Sequence, residues 1–576
     1  SFVVLVSPSE ESRPDPIVYL SGGPGESTLS GIGGYATIFQ ELRQDRDIIL
    51  FDQRGTHFSS PLRCSTFALD SSIAQQLGTP EADDDDNDDS TFGPLPDAAT
   101  LMDQARAAVA ENTQRCIDDL TATGVDLSQY NSHASANDMI ALMHALEVDQ
   151  FNLYGISYGT RLALAIMRDH PNAGIRSVVL DSTFPPEING FERYPAEIHE
   201  VVLQVFAACY RDNACNTAYP HLKERFKPLL ETLRTTPVIA STGDPIADED
   251  LVEIVKLVSK NAELGIAIPV MIEQLEQGDT TAIEAVASGT FFSDEADDAT
   301  PEAAGVSDEA PGTPDVSVEP AAVPGADEAD AFMAALGESL ATAPISRRSD
   351  VLFHLALLDN GPHTVDALEQ FVTRAFPGDD EANDRETLTQ LIDSMDADGI
   401  AQVFAAAASL SSLIDLQTLG LSNEVFNSVE CNEEIPFENF AVTVETANNL
   451  EIPQIAYSEV QTIAQQFATC EIWNSGTAEP IEAEPVVSDI PTLIFAGTYD
   501  YQTPPTWNKS AFVGLQNATF VQFPATNHGV IVGQNACASA ITGSFFDNPD
   551  ALPDILCSDE SRPVWILPDG SVTQPN

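Results

Sequence analysis

Lysine is nearly missing from this sequence, with five in 576 residues. Lysine and arginine together number 24 against 90 aspartates and glutamates, a formal charge of −66 at neutral pH. So lopsided a charge excludes nucleic acid and anionic membrane surfaces as partners, because phosphate would repel it. It fits a strongly hydrated carboxylate surface in a saline or otherwise harsh extracellular setting. Refolding yield and activity are therefore expected to rise from low to molar salt, and a maximum at low salt would remove this reading. Long apolar runs are missing too, so no transmembrane helix and no membrane insertion are expected. None of the eight cysteines forms a C-x-x-C pair, which argues against zinc and thiol-redox chemistry. Nothing in the chain signals a cofactor or a metal. The acidic run Glu81-Ala-Asp-Asp-Asp-Asp-Asn-Asp-Asp-Ser90 carries Asp88 where a calcium loop needs glycine, and reads as a solvated loop.

What is present centres on Phe151-Asn-Leu-Tyr-Gly-Ile-Ser-Tyr-Gly-Thr-Arg-Leu-Ala-Leu-Ala165. A short apolar run, a G-x-S-x-G turn and a run of helix formers describe a nucleophile elbow, in which Ser157 is exposed on a tight strand-to-helix turn. The glycines at 155 and 159 are needed because side chains there would collide with the neighbouring strand and helix. Ser157 is the candidate nucleophile.

Apolar strands at Ser1–Val6, Ile17–Leu20, Asp47–Asp52, Phe151 onward, Arg176–Asp181, Pro491–Ala496 and Thr519–Phe523 alternate with helical stretches. Strands ending in turns and alternating with helices predict an α/β fold with a mostly parallel sheet, whose carboxyl edge carries the site. Asn137 is expected to cap a helix running to Val148. From 184 to 485 the alternation stops and helical signals dominate, as at Glu197–Tyr210, Asp248–Leu264 and Asp366–Ala375. Residues 1–183 and 486–576 together have the length of one α/β domain. The stretch 184–485 is then a mainly helical cap inserted after the sixth-strand region. Within it, 293–330 is rich in Asp, Glu, Ala, Pro and Gly and is expected to be a flexible acidic linker.

A serine nucleophile needs a base, and the base an orienting acid. Asp500 lies just past a buried strand and His528 after the next one, in the order Ser, Asp, His. His528 would take the proton of Ser157 and return it to the leaving group, with Asp500 holding its tautomer. Asp181, which also ends a strand, ranks second as the acid. An oxyanion hole would come from the N–H of Tyr158 and of Gly23 in the turn Gly22-Gly-Pro-Gly25. Eight cysteines permit 105 pairings. The simplest joins neighbours, Cys64–Cys116, Cys209–Cys215, Cys431–Cys470 and Cys537–Cys557, and implies an oxidising compartment.

Gly22-Gly-Pro-Gly25, Asp52-Gln-Arg-Gly55, Tyr154-Gly-Ile-Ser-Tyr-Gly-Thr160, Val178-Val-Leu-Asp181, Gly497-Thr-Tyr-Asp500 with Thr503-Pro504, and Asn527-His-Gly529 resemble the tripeptidyl aminopeptidase branch of the prolyl aminopeptidase family. The resemblance implies an α/β-hydrolase fold and a secreted bacterial serine exopeptidase that releases short peptides or residues from free N-termini. The resemblance includes the pair Cys537 and Cys557; independently of it, the opening Ser1-Phe-Val-Val-Leu-Val6 reads as a strand already under way, so a leader, and a first strand with it, is expected outside the given sequence. Such an enzyme holds the substrate ammonium with an acid. In Val429-Glu-Cys431-Asn-Glu433-Glu434 the match falls on Glu433, with Glu430 and Glu434 beside it. Ser21, where the family has histidine, and His57-Phe58 after Arg-Gly-Thr depart from the pattern near the site. Relatives with these motifs include esterases, so a carboxylesterase with the same triad is the first alternative and a non-catalytic binding module the second. The partner expected is a small peptide or ester substrate, with a monomer favoured.

Overall fold

The computed structural model describes, apart from isolated positions and short interior gaps, residues 1–64, 95–291, 326–342, 364–404 and 421–573. The acidic run at 81–90 and positions 293–325 lie outside the described residues.

Seven short strands form one sheet: β1 (Phe2–Leu5), β2 (Ile17–Leu20), β3 (Ile48–Phe51), β4 (Phe151–Ile156), β5 (Ile175–Asp181), β6 (Thr492–Gly497) and β7 (Ala518–Phe523). Their spatial order is β1-β3-β2-β4-β5-β6-β7; β1 runs antiparallel to β3, and every other pair is parallel. β2, β3, β4 and β6 are buried along their whole length, as parallel strands covered on both faces must be. The carboxyl ends of β4, β5 and β6 lie side by side, with Ile156 paired to Asp181 and Asp181 to Phe495. The central edge therefore gathers residues hundreds of positions apart.

The helices that matter for the site are α1 (Ala98–Ala122), α2 (Ser132–Ala145), α3 (Tyr158–Asp169), α4 (Gly190–Arg211), α5 (Asn423–Glu433) and α6 (Tyr457–Ile472). α3 is buried from Tyr158 to Met167, which its apolar sequence allows. Asn137 does not cap α2. The helix begins a turn earlier, where the Asn131 side chain accepts the Ala134 N–H, and Asn137 instead contacts His133 and His170. The expected helix Asp248–Leu264 is also interrupted: it stops at Lys256, and Asn261 starts a separate turn by accepting the Glu263 N–H. Asparagine competes for backbone donors in this way and favours caps over helix interiors.

The insertion leaves the sheet after β5, counted from sequence as the sixth-strand region and here the fifth strand in chain order. The described residues fall into two compact units, one of 1–64, 95–286 and 421–573, the other within 287–404. The second unit is helical. Ala326–Thr342, Val365–Ala375 and Ala382–Ser394 enclose Phe332, Leu336, Leu368, Phe371, Leu388 and Ile392. Positions 326–330, expected to be linker, open the first of these helices, because Ala329 is buried against that core.

The cysteines pair as Cys64–Cys116, Cys209–Cys215, Cys431–Cys470 and Cys537–Cys557. Cys431–Cys470 ties α5 to α6. Replacing both by alanine is expected to cost about 2–4 kcal/mol in denaturant unfolding, with an unchanged midpoint as the contrary result.

Candidate active site

The elbow is built by the sequence that announced it. Ser157 takes φ 57° and ψ −128° between β4 and α3, a conformation most side chains avoid. A Cβ on Gly155 would come within 2.5 Å of Gly159 O, and one on Gly159 within 2.0 Å of Leu20 O. Both glycines are therefore required for the turn to close against its neighbours. The Tyr158 N–H heads the first turn of α3, where no intrahelical acceptor exists.

Asp500 and His528 meet. His528 Nδ1 lies 3.0 and 2.9 Å from the two carboxylate oxygens of Asp500, which is fully buried. Thr503, which the sequence reading did not assign to the site, donates its hydroxyl to Asp500 Oδ2 at 2.8 Å and lies 3.2 Å from His528 Nδ1; its N–H binds Asp500 Oδ1 at 2.9 Å. Thr503-Pro504, close after Asp500 in the sequence, was the available signal. Burial alone would raise the Asp500 carboxyl, but the His528 charge and the Thr503 bonds outweigh it and hold it below the usual carboxylate range. His528 is the mirror case. Burial presses the imidazole down, yet Asp500, then Asp181 and Glu26, raise it above its ordinary value. Among the described residues no hydrogen bond joins Ser157 Oγ to the imidazole. Catalytic contacts often tighten only with substrate bound.

A cavity of about 230 Å³ opens onto Ser157. Gly23 and Tyr158 share its wall with the serine. Phe184, Phe191, Tyr194, Phe426 and Tyr501 give it aromatic faces, and Glu430, Glu459, Thr462, Gln466 and Thr503 its polar groups. Glu430 is 4 % exposed and its Oε2 has no hydrogen-bond partner among the described residues. Burial, opposed by Arg161 and reinforced by Glu433 and Glu438, pushes this carboxyl up to about 8.

Glu433 and Glu434 do not line the cavity but turn to Arg161 of α3. Glu433 accepts the Ser132 N–H at 2.5 Å, the Ser132 hydroxyl at 2.7 Å and Arg161 Nε at 3.1 Å, which uses both its oxygens. Arg161, 3 % exposed, also stacks over Phe184 at 5.3 Å. It was missed in the sequence, although a lone arginine among Gly159-Thr-Arg-Leu-Ala-Leu-Ala165 requires a buried partner.

Asp181, the second-ranked acid, faces elsewhere than the imidazole nitrogens. Its oxygens accept the N–H groups of Val530 and Ile531 and the Tyr154 hydroxyl.

Residues 15–224 match the family model described as alpha/beta hydrolase fold, and residues 458–557 the one described as TAP-like protein. The chain has the α/β-hydrolase fold. The chain is 27 % identical over 244 residues to the serine protease Hip1 of Mycobacterium tuberculosis, and equally to that of Mycobacterium bovis, covering 41 % of this chain. The match spans only 40 % of those relatives' own length. The solved proline iminopeptidase of Mycobacterium smegmatis aligns over 95 % of this chain and 94 % of its own, at 13 % identity and a TM-score of 0.29, a likeness too slight to argue from. No helix among the described residues is long and apolar enough to cross a membrane.

Proposed function

We propose that this chain is a secreted serine exopeptidase that releases residues or short peptides from free N-termini through an acyl-enzyme on Ser157. His528 removes the serine proton as the hydroxyl attacks the scissile carbonyl and then delivers it to the departing amine; water repeats the cycle to free the acyl group. Asp500, with Thr503, fixes the imidazole tautomer and stabilises its cation. The N–H groups of Tyr158 and Gly23 receive the oxyanion. Glu430 receives the substrate ammonium, while Glu433 and Glu434 keep Arg161 in place behind it. One observation carries this reading: a single cavity contains the elbow serine, the oxyanion turn and a buried carboxylate with an unused oxygen. The four disulfides support an extracellular setting.

Mass spectrometry of products from a peptide mixture, with free and acetylated N-termini compared, tests the reading. The aromatic walls would also take an apolar acyl ester. Brisk turnover of p-nitrophenyl esters, with no peptide cleaved at any pH, would move the assignment to carboxylesterase.

A further inference from the structure

Two consecutive residues at the end of β5 hold both halves of the site. The main-chain oxygen of Asp181 accepts the Ser157 N–H at 3.1 Å. Its carboxylate accepts the Val530 N–H at 2.8 Å and the Ile531 N–H at 3.0 Å, and the next residue, Ser182, accepts the Gly529 N–H on its hydroxyl at 2.8 Å. Three successive amides after His528 are thus fastened to the strand end that also anchors the nucleophile. Both side chains are completely buried, and Ser182 takes φ 61°, a left-handed conformation a serine adopts only when its surroundings impose it.

We infer that Asp181 and Ser182 are positioning residues that set the distance over which Ser157 and His528 exchange a proton. This rests on the catalytic roles proposed above for those two residues. An ordinary core aspartate would need only one or two partners of any kind. Here the backbone and side chain of one residue reach the two loops that must meet, and a misplacement of about 1 Å between reacting groups costs on the order of 100-fold in rate. Asp181 also adds charge. The charged groups acting on His528 are Asp500 and, through space, Asp181 and Glu26; Asp181 in turn has Tyr154 bonded to it and His528 acting through space. Burial, opposed by the two amides and Tyr154, lifts the Asp181 carboxyl to about 6, so it bears negative charge at neutral pH.

The test compares D181N and S182A with wild type on an aminoacyl arylamide or a p-nitrophenyl ester. Active sites are counted by fluorophosphonate titration, so that unfolded material does not enter the rate. D181N is expected to lower kcat per titrated site by about 10- to 100-fold and leave KM within about twofold. It should also shift the acidic limb of kcat/KM to lower pH, since a negative charge that favours the imidazolium is gone. S182A, which removes an acceptor but no charge, should lower kcat less and leave the limb where it was. Wild-type kcat per titrated site and a wild-type limb in D181N, with only thermal stability reduced, would overturn the inference. If D181N does not fold, S182A decides, and wild-type kcat per titrated site there overturns it equally. Activity that survives S157A would instead sink the proposed nucleophile, whatever Asp181 does.

Discussion

Alanine at position 157 is expected to reduce kcat on the order of 10⁴-fold or more while the protein folds normally and still binds substrate. Without the hydroxyl no acyl-enzyme forms, and what remains is the contribution of the oxyanion donors and of binding. H528A should fall as far, and the double variant no further, because the residues act as one unit. D500N keeps the shape but loses the charge that sets the tautomer, and should cost about 10⁴-fold in kcat. The pH profile carries a second mark. His528 works as a base only when neutral, and its carboxylate neighbours raise its pKa above the ordinary imidazole value. Activity should therefore be lost as pH falls through that raised value, giving an acidic limb above about 6.5. A limb below the ordinary value, or an S157A variant as active as wild type, would refute the assignment.

Blocking the substrate N-terminus should abolish cleavage almost as completely. A buried carboxylate with an unused oxygen discriminates strongly, since an acetylated substrate leaves it unpaired. E430Q is expected to lower kcat/KM for free-amine peptides on the order of 100-fold, the usual consequence of removing one partner of a buried charge pair. Burial, partly offset by Arg161, pushes the Glu430 carboxyl up to about 8. Ammonium binding requires its ionised form, so KM should fall as pH rises toward that value. Above about 8 the substrate amine loses its own proton and KM should rise again. E430Q would flatten this KM profile and leave the His528 limb in place. Equal cleavage of free and acetylated peptides would remove Glu430 from the role.

The roles of neighbouring residues separate what pattern can show from what it cannot. Ser157 was legible because an elbow is a local object: strand, two glycines and helix occupy 15 consecutive positions, and steric limits dictate which residues they can be. Asp500 and His528 were legible because each follows an apolar strand closely. Glu430, Glu433 and Glu434 were not separable in the same way. They lie within five residues on the last turns of α5, and one helix turn decides which faces the cavity and which faces Arg161. Asn137 and Asn131 show the same limit at a helix start, where two asparagines six positions apart are equal candidates until packing chooses one.

By itself, then, the sequence determined the alternation of strands and helices, the elbow, and the order in which Ser157, Asp500 and His528 follow their strands. All of these are written in residues close together, where backbone sterics and hydrophobic period act directly. Only the tertiary structure decided that Thr503 bonds Asp500 beside His528, that Glu430 alone of its group lines the cavity at Ser157, and that Asp181 bonds two loops. Those choices depend on contacts between segments up to hundreds of residues apart, and a parallel sheet brings such segments together through strand order, which no local pattern encodes.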